Sequence, residues 1–217
     1  MPKKQYSDRI RVKREHQRAH YDDQTLYAVL DSHIMAHIGY VIDGQPFVTP
    51  TLYWRDGNKL YWHGSAASRM LKVQSKGIPV CVTVSHIDGI VFARSGFNTS
   101  VNYRSAMVYG KAELVLDTCE IERQFELFFE QLSEGRWAGF RPSTAQELKA
   151  TSMLVMEIEE ASVKIRTGPP NDNEEDRDAA MWGGVVPIKT EFGVPEPDEF
   201  IRDDVPPLTM PDKPLIG

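Results

Sequence analysis

Between residues 34 and 63, strand-length apolar runs alternate with turn signals, and this alternation commits the chain early to antiparallel β structure. Ile34 to Ile42 is closed by Asp43-Gly44, Pro46 to Trp54 follows, and Asp56-Gly57-Asn58 returns the chain into Lys59 to His63. Aspartate and asparagine beside glycine tolerate the positive φ that two-residue hairpin turns require. Pro46 and Pro50 each remove a ladder donor, so the strand that carries them is predicted to keep one side free of full pairing.

The returning strand runs directly into Tyr61-Trp62-His63-Gly64-Ser65-Ala66-Ala67-Ser68-Arg69-Met70, an apolar strand ending at a helix start rich in hydroxyls and carrying one arginine. The unpaired N–H groups of a helix start favour an anion, and Ser65, Ser68 and Arg69 add donors at the same place. Gly64 lets the backbone come close. A phosphate cradle beside a strand with free backbone groups suits a nucleotide such as FMN, with Thr49, Pro50, Leu52 and Tyr53 offering mainly backbone groups to a flat polar ring. Plainer readings stand beside this one: an ordinary edge strand, Arg69 and Ser68 as exposed helix residues, and Ser65 as an N-cap whose hydroxyl cannot fully serve both roles. His63, at the strand end, is either a structural hydrogen-bonding group or a ligand contact, and catalysis by it is a separate question. Neither Gly-x-Gly-x-x-Gly after a strand nor Gly-x-x-x-x-Gly-Lys-Ser/Thr occurs, so dinucleotide-fold and P-loop readings lack their fingerprints.

Elsewhere the pattern predicts a first helix over Gln24 to Ser32 capped by Asp22-Asp23, and a hairpin of Val80 to Ser85 and Ile90 to Ala93 across Ile87-Asp88-Gly89. A long strand is expected over Ala106 to Leu116. Asp117-Thr118 then caps a helix over Glu120 to Leu132, whose Ile121, Phe125, Phe128 and Leu132 form a core-facing stripe. A loop from Gly135 to Ser143 leads to last strands over Met153 to Ile158 and Ser162 to Ile165. Six or seven short strands with helices inserted between them give a mainly β fold, a small β-barrel with helical decoration. The organisation is a basic arm over residues 1–20, a barrel domain over 21–167, and an extended tail over 168–217.

At 217 residues the chain can bury one sizeable core, and 41% hydrophobic with 26% charged residues describes a folded protein. A net charge of -6 argues against a general nucleic-acid binder. The basic residues of the first 18 positions are most simply a solvated arm. Cys81 and Cys119 have no metal-like spacing and read as free thiols, and the histidines His16, His20, His33, His37 and His86 share no ligand spacing. No apolar run reaches a membrane span and no signal-peptide stretch precedes the arm, so the expectation is a cytoplasmic protein with no membrane or nucleic-acid partner. Asn171 to Asp178 is acid-rich solvated charge, and Pro187 to Gly217 holds seven prolines. No Gly-x-Ser-x-Gly elbow exists, which disfavours a hydrolase.

Four segments in order resemble the FMN-binding split barrels related to pyridoxamine 5'-phosphate oxidase, in the branch that includes nitroimidazole reductases. They are His37-Ile38-Gly39-Tyr40, Thr49-Pro50 through His63-Gly64-Ser65 to Ser68-Arg69-Met70, Asn102 to Gly110, and Thr167-Gly168-Pro169-Pro170 to Trp182-Gly183-Gly184-Val185-Val186-Pro187. The resemblance implies FMN as cofactor, held by Thr49, Pro50, Leu52, Tyr53, His63, Gly64, Ser65, Ser68, Arg69 and Met70. It implies a homodimer with flavin sites at the interface, where Arg104 and Ser105 approach the flavin from the opposing subunit. Trp182, Gly184 and Val185 would fold back onto the pocket, or Trp182 would pin the tail to the barrel elsewhere. The implied function is an FMN-dependent oxidoreductase passing electrons from a reduced nicotinamide to a small acceptor such as a nitroaromatic or quinone. A non-catalytic flavin carrier and a haem-handling split-barrel protein are the alternatives. The substrate-binding arginine pattern of pyridoxamine-phosphate oxidase itself is not found.

Overall fold

The computed structural model describes residues 6–208 and Met210. Nine strands form one antiparallel sheet rolled on itself. They are β1 (Ala19–His20), β2 (Met35–Ile42), β3 (Gln45–Asp56), β4 (Lys59–Ser65), β5 (Lys76–Phe92), β6 (Ser100–Leu114), β7 (Thr151–Glu157), β8 (Glu160–Arg166) and β9 (Gly184–Pro187). Their order is β1-β8-β6-β7-β4-β3-β2-β5-β9, and a further β5–β6 pairing closes the barrel. Four helices decorate it: α1 (Asp23–Leu30), α2 (Arg69–Gln74), α3 (Thr118–Leu132) and α4 (Ala145–Ala150).

The turn signals act as their chemistry requires. Asp43 and Gly44 adopt φ of 49° and 78° and bring Ile42 opposite Gln45, while Gly57 at φ 58° turns β3 into β4. Asp22 accepts from Thr25 N and Asp117 from Cys119 N, so both long helices start at their aspartates. The main core inside the barrel gathers Leu30, Ile38, Tyr53, Leu60, Trp62, Leu71, Val82, Val108, Leu154 and Met156. A second cluster lies outside β4, where Trp54, Tyr61 and Met153 meet Ile121 and Phe128 of α3.

Three expectations are corrected. No hairpin forms at Ile87-Asp88-Gly89. β5 runs straight through it as one strand with a bulge, because the Arg104 guanidinium on β6 holds Asp88 across the pair and Gly89 continues the ladder opposite Asn102. The arm before α1 is not free in solution over its described part: Ala19 and His20 pair with β8, Ile10 is buried, and Arg9 meets Glu160 in an ion pair. Its residues 1–5 lie outside the described part of the chain. The loop expected over Gly135 to Ser143 contains a 3-10 turn at Trp137–Gly139, and α4, absent from the expectation, follows it from a reciprocal capping box of Thr144 and Glu147.

The stretch after β8 is fastened to the barrel. Asn102 donates to Gly168 O at 3.1 Å, and Arg94 donates through backbone and side chain to Asp172 at 2.7 Å each. β9 then pairs with the end of β5, Gly184 opposite Phe92. No helix among the described residues is long and apolar enough to cross a membrane.

Candidate functional site

The barrel splits where β3 changes partner. Residues 53–56 of β3 pair with 59–62 of β4, whereas 45–52 pair with β2. Past Trp62, β4 continues as His63-Gly64-Ser65 against β7 alone, opposite Met153, Ser152 and Thr151. The half of β3 that contains Pro46, Thr49, Pro50 and Leu52 therefore has a backbone edge turned away from β2, beside the end of β4. The prolines fit because that edge needs no donors from them.

α2 closes the open end of this split. Trp62 Nε1 donates to Gln74 Oε1 at 3.0 Å, and both side chains are fully buried, so the last turn of α2 is fixed to the core and its first turn faces the gap. The turn before it is set by Ser65, whose Oγ accepts from Ala67 N at 3.2 Å, and by Ala66 N donating to Ala150 O at 2.8 Å. Ser68 is the N-cap residue and makes no capping bond with its side chain, which leaves that hydroxyl to other acceptors or donors. Arg69 reaches across to β3, its guanidinium carbon 4.7 Å from the centre of the Phe47 ring. Met70 packs on the barrel core. A Cβ at Gly64 would lie 3.1 Å from Leu71 Cδ1, so a side chain there would press on the helix that carries Arg69.

The polar groups around the split differ in what they can do. Tyr53 is buried, donates its hydroxyl to Leu30 O and has its pKa raised by burial, so it is a neutral structural group that offers a ligand only backbone. His63 lies between Trp54 and Phe125, with ring centroids 5.9 Å and 5.0 Å away. Burial lowers its pKa, keeping the imidazole neutral, and its Nδ1 is buried without a hydrogen-bond partner. A buried ring nitrogen with no partner is a polar cost that a bound hydroxyl would remove.

The other predicted residues lie elsewhere in the chain. Ser105, opposite Ser85, shares a sheet face with His37, Pro50 and Thr83. Arg104, opposite His86, lies on the reverse face and is bound to Asp88. Trp182 is 62% exposed and sets its ring edge-on to Phe92 at 6.1 Å. A Cβ at Gly184 would fall 2.8 Å from that indole, so the glycine lets the chain fold beneath it. Trp182, Gly184 and Val185 sit at the β9 end of the sheet, four places along the strand order from β4, which carries Ser65 into the Arg69 turn.

Comparison with known proteins gives this arrangement a relation. The family model for pyridoxamine 5'-phosphate oxidase matches residues 22–165. The chain belongs to that family. Among solved structures, a flavocytochrome from Azotobacter vinelandii is 45% identical over 95% of this chain and 94% of its own, with a TM-score of 0.87. An FAD and haem binding protein from Mycobacterium smegmatis is 34% identical over 87% and 93%, with a TM-score of 0.83. A Bacteroides thetaiotaomicron protein described as a candidate for 5-nitroimidazole antibiotic resistance is 18% identical over 68% and 86%, with a TM-score of 0.55, a likeness of fold. No curated protein sequence matches.

The fold is thus the flavin-binding split barrel of the pyridoxamine 5'-phosphate oxidase family, and flavin is the cofactor class it brings. The free edge of β3, the hydroxyl-bearing turn into α2, the Arg69 guanidinium and the unpartnered His63 nitrogen form a set that such a ligand fits. Two contributors went unread in the sequence. Gln74 anchors α2 from a position that looks like ordinary helix surface, and α4 supports the Ser65 turn through Ala150. The capping box Thr144-x-x-Glu147 was the available signal for α4.

Proposed function

We propose that this protein is a flavin-dependent electron-transfer protein that takes electrons from a reduced nicotinamide and delivers them to a small acceptor. The observation that carries the reading is the convergence of the free β3 edge with Ser65, Ser68 and Arg69 at the start of α2. Flavin supplies reversible hydride and electron exchange when bound, and the protein supplies position and environment. Ser65, Ser68, the first N–H groups of α2 and Arg69 would hold the phosphate next to the riboflavin. Backbone groups of Thr49, Pro50 and Leu52 would meet the polar edge of the ring system. The neutral His63 would accept a hydroxyl hydrogen at Nδ1, and the aromatic side chains around it keep water away. FMN carries all the groups this cradle addresses, and FAD presents the same phosphate with an adenosine attached; the Mycobacterium smegmatis relative supports FAD as the flavin to test beside it.

A homodimer belongs to this reading. Met35, Val41, Val48, Leu52, Ile87 and Met107 are all exposed apolar residues on the one sheet face that also carries Ser105. Covering that face with a second copy would bury it and bring the partner's β6 and tail toward the split. Purified protein reconstituted with each flavin and oxidised by acceptors after photoreduction tests the proposal. Bound flavin with acceptor-dependent turnover of NADH or NADPH is expected; bound flavin without turnover would make it a carrier, and no flavin would remove the reading.

A second reading adds a haem. Its support is His37, which stands exposed on the apolar face between Pro50 and Thr83 near Met35, together with the descriptions of the two relatives above 30% identity. His37 would ligate the iron and Met35 and Leu52 would flank the porphyrin. Titration with haemin should give a Soret band that His37→Ala shifts or abolishes.

A further inference from the structure

Beyond the cradle lies a cavity of about 410 Å³ that the function above does not use. Its walls are aromatic: Phe125 and Phe129 from α3, and Trp137 and Phe140 from the segment that follows. Ser143 and Thr151 stand at its polar side, with Arg141 and Glu147 paired at the rim. The volume is that of a small-ligand site.

Three observations make it a built site connected to the cradle. First, it is contiguous with the phosphate turn, because Thr151 pairs with Ser65 and Ala150 O accepts from Ala66 N. Second, its far wall is held in place: Glu130 accepts from the backbone N–H of Gly135 at 2.6 Å and of Trp137 at 3.0 Å, while Phe129 stacks on Trp137 at 6.0 Å and meets Phe140 edge-on at 5.0 Å. Third, Phe125 is shared, lining the cavity on one side and touching the unpartnered His63 on the other.

We propose that this cavity receives the adenine of an FAD whose phosphates lie at Ser65 to Arg69, so that the flavin of this chain is the dinucleotide. A flat heteroaromatic ring is what four aromatic walls with a hydroxyl-lined side accept, by stacking on the rings and hydrogen bonding at the polar side. The connecting pyrophosphate explains why the cavity opens beside an anion cradle. The Arg141–Glu147 ion pair at the rim is satisfied within the chain, so recognition of the base rests on the aromatic walls and the Ser143 and Thr151 hydroxyls. The inference rests on the flavin reading of the cradle and is tested separately from it.

The experiment compares FAD and FMN binding to the full chain and to Trp137→Ala. Wild type should prefer FAD, and the variant should lose roughly tenfold or more in FAD affinity with FMN affinity unchanged, as expected for the removal of one stacking partner of a base. In wild type, excess AMP should compete with FAD and leave bound FMN in place, a readout that stands even if the variant folds poorly. Equal affinities for FAD and FMN in wild type, with AMP displacing neither, would overturn the adenine site and leave the flavin cradle intact. Binding of neither flavin would overturn the cradle as well. If AMP competes with NADH or NADPH and leaves FAD in place, the cavity serves the electron donor and the FAD assignment falls.

Discussion

Arg69 shows how one side chain can join two halves of a site. It begins on α2, reaches the Phe47 ring on β3, and so spans the gap left where β3 turns away from β4. Its charge beside the hydroxyls of Ser65 and Ser68 should serve the phosphate and little else. Arg69→Ala is expected to weaken FMN binding by about 1.5–3 kcal/mol, while riboflavin, which lacks the phosphate, should bind nearly as before. Fluorescence titrations of both ligands check this, and equal losses would show that Arg69 supports the fold. His63 was visible in the sequence as a residue beside the cradle, but not as a buried, neutral one. That depends on Phe125 and Phe128 arriving from α3, which lies far along the chain.

At the scale of elements, α3 is tied to the β3–β4 hairpin by a polar network as well as by its apolar stripe. Trp54 Nε1 donates to Gln124, Gln124 donates to Asp56 and Glu120, and Arg123 bridges the same two carboxylates. Hydrogen bonding to Arg123, then to Gln124, lowers the Glu120 pKa to about 2 from an ordinary 4.5, and Arg123 also lowers that of Asp56. A depressed carboxylate stabilises the fold fully above its unfolded pKa and loses that contribution as pH falls toward the folded one. The hold of α3 on the hairpin should therefore be complete above about pH 4.5 and weaken on acidification towards about pH 2. Urea unfolding at a series of pH values should show a shallower acid loss for Glu120→Gln than for wild type. The exposure of Arg123 keeps the effect modest. The sequence displayed the caps and stripe of this helix because both are local patterns. It concealed β5, where Asp88-Gly89 has the composition of a turn and only the distant Arg104 makes it a bulge.

For the whole molecule, the question is what covers the face bearing Met35, Val48, Leu52 and Met107. Val48 alone is 66% exposed, an unusual place for an aliphatic side chain unless a partner meets it. Charges placed there by Val48→Asp and Met107→Asp should convert a dimer to a monomer in light scattering and speed the release of flavin. A wild-type monomer at micromolar concentration that holds flavin tightly would contradict the shared site. The β class and the helix start after β4 were legible because turns, prolines and a helix start are read over a few residues. The position of Trp182 against Phe92 and the arm on β8 were not, since each is settled by a strand pairing between remote segments. That same pairing bears on how the chain matures on the ribosome. β1 near the beginning of the domain completes its ladder only with β8 near the end, Ala19 opposite Lys164. A nascent chain must therefore carry its first strand unpaired until nearly the whole barrel has been synthesised, and closure becomes a late, non-local event. Arrested chains ending before β8 should be open to proteases at their leading segment, and chains extended past it should be protected.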